Sequence, residues 1–177
     1  MEYKATLFDG KALERAFIRI AHEISEQNEN LKDIVLVGIK TRGVPFANRL
    51  AKYMFEKIDN SFNVPVGILD ITDFRDDADR NHSNKNAGEI PVDITGKTVI
   101  ITDDVIYTGR TARAALDALI TFGRPAKIQF AVIVDRGHRE VPIRADYVGK
   151  NIPTSKNEVI KVGLSEIDKN DFVEIYE

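Results

Sequence analysis

The sequence predicts an α/β domain, a mainly parallel sheet flanked by helices. Two observations carry this. Short apolar, β-branched runs alternate along the chain with amphipathic segments at helical spacing. Three polar, Gly-containing loops follow three of the apolar runs, at Lys40–Gly43, Asp103–Thr111 and Asp135–Arg139. In a parallel sheet such loops gather at the carboxyl edge of the strands, where ligands bind.

The elements follow in order. Asp9 is placed to cap a helix running to about Gln27, with Leu13, Phe17, Ile20 and Ile24 on one face. Ile34–Ile39 reads as a strand buried on both faces. A second helix is expected from about Pro45 to Ile58, since proline suits a first helical turn. Val64–Ile71 reads as a strand. The segment 73–89 is rich in Asp and Asn and lacks periodicity, which predicts a long flexible loop or a hairpin. Thr98–Ile101 is a buried strand ending at Asp103 and Asp104. A helix from about Thr111 to Phe122 closes at Gly123, and Ile128–Val134 is the next strand. Beyond it the elements are shorter.

At 177 residues the chain fits one domain, 1–177, with a core of ordinary size. It has no cysteine, which excludes disulfides, thiolate zinc sites and thiol nucleophiles. No leader-like segment and no run long enough to span a bilayer is present, so a cytoplasmic location is expected. There is no internal repeat. The net charge of −3 gives no global sign of nucleic-acid binding, so any basic surface must be local.

The richest chemistry lies in the segment from Val99 through Asp103, Asp104, Val105, Ile106, Tyr107, Thr108, Gly109 and Arg110 to Thr111. A strand, two adjacent carboxylates and a hydroxyl- and Gly-rich turn lead into a helix. A helix start offers unpaired N–H groups and a positive dipole end to a phosphate. Gly109 lets the backbone approach the anion, and the Thr108 and Thr111 hydroxyls add donors. Carboxylates accept only, so Asp103 and Asp104 suit a sugar diol. The segment asks for a ligand carrying a ribose diol and a phosphate.

This pattern resembles the signature of the type I phosphoribosyltransferases. The resemblance implies that fold, with a small hood and a flexible loop near 73–89. It implies a 5-phosphoribosyl-1-pyrophosphate site, with Mg²⁺ bridging pyrophosphate and ribose oxygens, held through the substrate beside Asp103 and Asp104 and without dedicated protein ligands. Lys40, Thr41, Arg42 and Gly43 would form the pyrophosphate loop. Arg75 would reach the pyrophosphate from the closing loop. The base would lie near Asp135, Arg136 and Gly137. Tyr107 stands where purine-using relatives typically carry a carboxylate, which argues against a purine and for a pyrimidine.

Longer stretches narrow the resemblance. Arg19–Glu23, Gly38–Gly43, Ile90–Asp93, Val134–Tyr147 and Gly149–Ser155 together resemble the bacterial bifunctional pyrimidine operon attenuation regulators that are also uracil phosphoribosyltransferases. Phe74 departs from the Tyr expected there. The resemblance implies conversion of uracil to UMP and binding of a pyrimidine operon mRNA stem-loop when UMP or UTP is bound. It also implies a homodimer. On the first helix Arg15, Arg19 and His22 fall opposite the apolar stripe. His138, Arg139, Arg144 and Lys150 form a second basic set. If the two sets meet, they make an RNA-binding face. The alternative is a salvage enzyme whose basic face is incidental.

Overall fold

The computed structural model describes residues 1–78 and 86–177. His82, to which the sequence assigns no role, lies outside them. Nine strands and four helices follow one another as β1 (Tyr3–Phe8), α1 (Gly10–Gln27), β2 (Ile34–Ile39), α2 (Gly43–Lys57), β3 (Val66–Leu69), β4 (Gly88–Glu89), β5 (Thr98–Ile106), α3 (Arg110–Leu119), β6 (Lys127–Asp135), β7 (Tyr147–Asn151), β8 (Val159–Gly163), α4 (Ser165–Asp168) and β9 (Phe172–Tyr176). They are counted among the described residues.

The main sheet has the order β4-β3-β2-β5-β6-β7. All its pairs are parallel except β3 with β4. Every residue of β2 is buried, as a central strand covered on both faces requires. One core lies on the α1–α2 face, around Phe17, Leu36, Phe46, Ile100 and Tyr147. The other lies on the α3 face, around Val37, Ile101, Ala115 and Val132. Asp9 Oδ1 accepts from the Ala12 amide at 2.7 Å, so α1 begins where its cap dictates.

The hood is a separate antiparallel sheet, ordered β1-β9-β8. It joins strands from opposite ends of the sequence, with Tyr3 opposite Tyr176. The type I phosphoribosyltransferase fold expected from the sequence is thus present in both its parts. No described helix is long and apolar enough to cross a membrane.

Several boundaries differ from the sequence reading. Helix α2 starts at Gly43, two residues before Pro45. Strand β3 is shorter than Val64–Ile71, and α3 ends at Leu119 rather than Phe122. Strand β5 runs on to Ile106, so Asp103 and Asp104 lie inside the strand. Parallel pairing of β5 with β6 continues through Val105–Val134 and Ile106–Asp135, and this holds the extra residues extended. Of the polar segment 73–89, Thr72–Phe74 is a short 3-10 turn, and Gly88–Glu89 returns to pair with β3.

Candidate active site and basic face

The three loops meet at the carboxyl edge of the main sheet. Position 102 decides how two of them fit. Thr102 directly follows the apolar run Val99–Ile101 and is fully buried. Its hydroxyl donates to the Gly43 carbonyl at 2.7 Å. A Cβ on Gly43 would fall 2.2 Å from the Thr102 carbonyl oxygen, and one on Gly38 would fall 2.5 Å from Val44 Cα. Only glycine allows this approach, so the Lys40–Gly43 loop is pressed directly against β5. The Lys40–Thr41 peptide is cis.

The two carboxylates interact with each other, and each also meets a different neighbour. Asp103 lines a cavity of about 120 Å³ with Tyr107, Thr108, Gly109 and Thr111. Asp104 acts electrostatically on Arg42. Each carboxylate accepts the amide of the next residue: Asp104 N–H to Asp103 Oδ1 at 2.9 Å, Val105 N–H to Asp104 Oδ1 at 2.7 Å. Burial, then the neighbouring charge, pushes the Asp103 carboxyl well above the usual carboxylate range. Burial also raises Asp104, partly offset by the Val105 amide, Asp103 and Arg42. Two buried acids with few protein donors are receptive to hydroxyl groups or to a hydrated cation.

The turn into α3 has the form of an anion cradle. Gly109 sits at φ 88°, and a Cβ there would meet the Val141 side chain at 2.8 Å. The loop after β6 packs on this turn, with the Glu140 and Val141 amides donating to the Thr108 carbonyl at 2.9 and 3.2 Å. Arg110 pairs with Glu140 and with Asp76, both at 2.7 Å. Asp76 is also bonded by Arg113. These pairs draw the segment after Phe74 toward α3. A cavity of about 210 Å³ there is lined by Arg75, Asp76, Asp77, Arg110 and Thr111. Arg75 lines this cavity beside the α3 turn, with its own guanidinium on Asp77 at 3.0 Å.

Around the expected base position, Arg136 is buried. Its guanidinium donates to Thr154 Oγ1 at 3.0 Å and to the Glu158 carbonyl at 2.7 Å. It also lies 4.0 Å from the Tyr107 ring centroid. The His138 ring meets the other side of this arrangement, edge to face with Tyr107 at 5.7 Å. Asp135 accepts the Gly137 amide at 2.9 Å. Arg136 thus fastens the β6 loop to the hood as a side chain, a role the sequence reading did not assign.

The two basic sets meet in part. Helix α1 packs beside β7, and Arg19 Nη2 donates to the Val148 and Gly149 carbonyls at 3.1 and 2.7 Å, next to exposed Lys150. Arg15 and His22 are exposed on the same helix. Two members of the second set lie apart from the strip on α1. Arg139 is turned inward, bonding Asp135 at 2.5 Å and the Tyr107 and Ile143 carbonyls at 2.7 and 2.8 Å. It braces the site loops. Arg144 lines a small cavity with Ile101, Ala112 and Leu116, on the α3 face of the sheet and away from α1. His138 Nε2 lies 2.6 Å from the Thr154 carbonyl.

Sequence reasoning missed Thr102, although a lone hydroxyl in an apolar strand signals it. Lys40, the first residue of the expected pyrophosphate loop, pairs its ammonium with Asp70 at 3.0 Å, a partner the sequence did not indicate. Asp76 and Asp168 carried no sequence signal.

The fold and this site define the class of protein: a phosphoribosyltransferase. The sequence pattern of the phosphoribosyl transferase domain matches residues 4–167. Hypoxanthine-guanine phosphoribosyltransferase of Bacillus anthracis has the same fold, at 25% identity, 98% coverage of each chain and a TM-score of 0.71. The hypoxanthine phosphoribosyltransferase of Trypanosoma cruzi, 19% identical, covers 98% of this chain and 96% of its own with a TM-score of 0.72. Bifunctional protein PyrR of Bacillus pumilus is 55% identical over 100% of this chain and 99% of its own. That of Clostridium perfringens is 58% identical over the same shares, and that of Thermus aquaticus 54% over 100% and 98%. The chain belongs to the bifunctional PyrR family of phosphoribosyltransferases.

Proposed function

We propose that the protein transfers the 5-phosphoribosyl group of phosphoribosyl pyrophosphate to uracil, giving UMP and pyrophosphate, and that it binds pyrimidine operon leader mRNA in response to UMP or UTP. The observation that carries the enzyme reading is β5 itself. It delivers Asp103 to the α3 cradle and Asp104 to Arg42, with both loops locked to the strand.

In this reading the 5′-phosphate sits on the Thr108–Thr111 turn, held by N–H groups at the start of α3 and by the Thr108 and Thr111 hydroxyls. The ribose hydroxyls donate to Asp103 and Asp104. The Lys40–Gly43 loop takes the pyrophosphate, with Thr41 offering a backbone N–H and Arg42 a cation. The C1–O bond to pyrophosphate breaks as the uracil N1–C1 bond forms, and the uracil N1 proton passes to the released pyrophosphate or to solvent. Charge develops as an oxocarbenium-like centre, so positioning and electrostatics supply the catalysis. The base lies between Val105, Tyr107 and the Asp135–Gly137 loop. Segment 73–78, with Arg75, excludes water from the α3 side.

Among the described residues no cluster of acids or histidines forms a metal cage. Asp103 and Asp104, adjacent acids, would hold Mg²⁺ brought by the substrate. Bound there, the ion would offset charge on the leaving pyrophosphate.

For RNA, Arg15, Arg19, His22 and Lys150 offer an exposed basic strip on an acidic chain. Such a strip suits the phosphates of a structured hairpin, extended across a homodimer. A cytoplasmic location fits both activities. The test is filter retention of a pyrimidine operon leader hairpin, with and without UMP, over a salt series. Binding tightened by UMP and weakened by salt supports the regulator. Uracil-dependent release of pyrophosphate without any RNA retention would leave only the salvage enzyme.

A further inference from the structure

Arg42 is held from outside the main domain. Its Nε donates to Asp168 Oδ2 at 3.1 Å and its Nη2 to Asp168 Oδ1 at 2.7 Å, a bidentate pair across 126 residues. Asp168 ends α4 in the hood. Its Oδ2 also accepts the amide of fully buried Leu164 at 3.0 Å, so the carboxylate is itself anchored to backbone. At the other end, Gly43 is pinned to β5 by Thr102. Among the described residues Nη1 of Arg42 makes no hydrogen bond, while Asp104 acts on the same guanidinium electrostatically.

Arg49 offers a comparison. It lies seven residues, about two turns, further along α2. Its guanidinium is saturated: Nε and Nη2 bond Glu166, Nη1 and Nη2 bond Asp171, and Nη2 also bonds Ser165. Both arginines reach the same stretch of the hood. Arg49 spends every arm on docking it. Arg42 uses Nε and Nη2 and leaves Nη1 without a hydrogen bond among the described residues.

We infer that Asp168 is a positioning residue that holds the Arg42 guanidinium plane so that its free Nη1 edge faces the leaving pyrophosphate. The inference rests on the proposed phosphoribosyl transfer and names the hood as a contributor to the pyrophosphate end of that site. A planar fork gripped on one edge keeps its other edge preorganised, so little freedom is lost when an anion arrives. Because Arg49 docks the hood independently, Asp168→Asn is expected to fold.

The test is calorimetric binding of magnesium pyrophosphate and of UMP to the full chain as wild type, Asp168→Asn, Arg42→Gln and the double variant. Asp168→Asn should weaken pyrophosphate binding about tenfold, within the range of coupled neighbours, and leave UMP binding unchanged. In the Arg42→Gln background it should add nothing. In turnover, KM for phosphoribosyl pyrophosphate should rise while KM for uracil stays, and Asp168→Glu should restore part of the loss. Unchanged or tighter pyrophosphate binding in Asp168→Asn overturns the inference, as does an equal loss for UMP or an equal loss in the Arg42→Gln background. A folded wild type that binds neither pyrophosphate nor phosphoribosyl pyrophosphate would overturn the transfer reading as well, and so is told apart from failure at Asp168 alone.

Discussion

Asp103 shows at single-residue scale how the site is kept at the expense of stability. Its carboxyl is pushed up, first by burial and then by Asp104. The folded chain thus holds the proton more tightly than the unfolded chain. That contribution is complete below the ordinary carboxyl range and is lost as pH rises toward the folded value. Asp103→Asn removes the titration. It should raise Tm relative to wild type at about pH 8, with the gap closing near about pH 4, while phosphoribosyl transfer falls. Melts across that range, paired with assays, check both. Thr102 makes the opposite case. Thr102→Val leaves the Gly43 carbonyl without its donor, which costs about 1–2 kcal/mol. It should also raise KM for phosphoribosyl pyrophosphate, because the Lys40–Gly43 loop loses its tie to β5. A lower Tm with unchanged KM would separate that tie from the site.

Between elements, the contrast of Arg19 and Arg139 decides which basic residues are free to meet RNA. Arg19 joins α1 to β7 through carbonyl acceptors and pairs with Glu23 at 2.5 Å, yet its side chain remains 47% exposed. Arg139 is 19% exposed and bonded to Asp135, with three carbonyls around it. Arg19→Gln should weaken hairpin binding and reduce the slope of log affinity against log salt by about one, with Tm nearly unchanged. Arg139→Gln should lower Tm by the equivalent of about 1–3 kcal/mol and weaken UMP binding, since the Tyr107 and Asp135 loops lose their brace. Filter retention and melting of both variants distinguish the two roles. The pattern of β5 was legible at this scale: apolar run, paired acids, Gly turn, helix. Its continuation to Ile106 was not, because pairing with β6 overrides the local polarity of Asp103 and Asp104.

Across the whole molecule, the hood is joined to the main domain through polar contacts as well as apolar ones. Arg49, with a side chain 14% exposed, bridges α2 to Glu166 and Asp171. Arg49→Ala should speed hydrogen exchange in β1, β8 and β9 while β2 and β5 keep their protection, and lower stability by about 1–3 kcal/mol. Uniform loss of protection would mean that hood and sheet unfold as one unit.

The sequence by itself determined the alternation of strands and helices, the Asp9 cap, the Thr108–Thr111 cradle and the exposed face of α1. Each of these is written in neighbouring residues, through side-chain period, capping chemistry and glycine freedom. Only the tertiary structure decided the rest. The hood pairs β1 with β9 across nearly the whole chain, and no local pattern encodes that partner. Arg42 and Arg139 read alike in sequence as free cations, yet one keeps an arm open beside Asp104 and the other is consumed by Asp135 and its neighbouring carbonyls. A charge advertises itself in the sequence, whereas the partner that holds it is set by which distant carboxylate or carbonyl the fold brings within bonding distance.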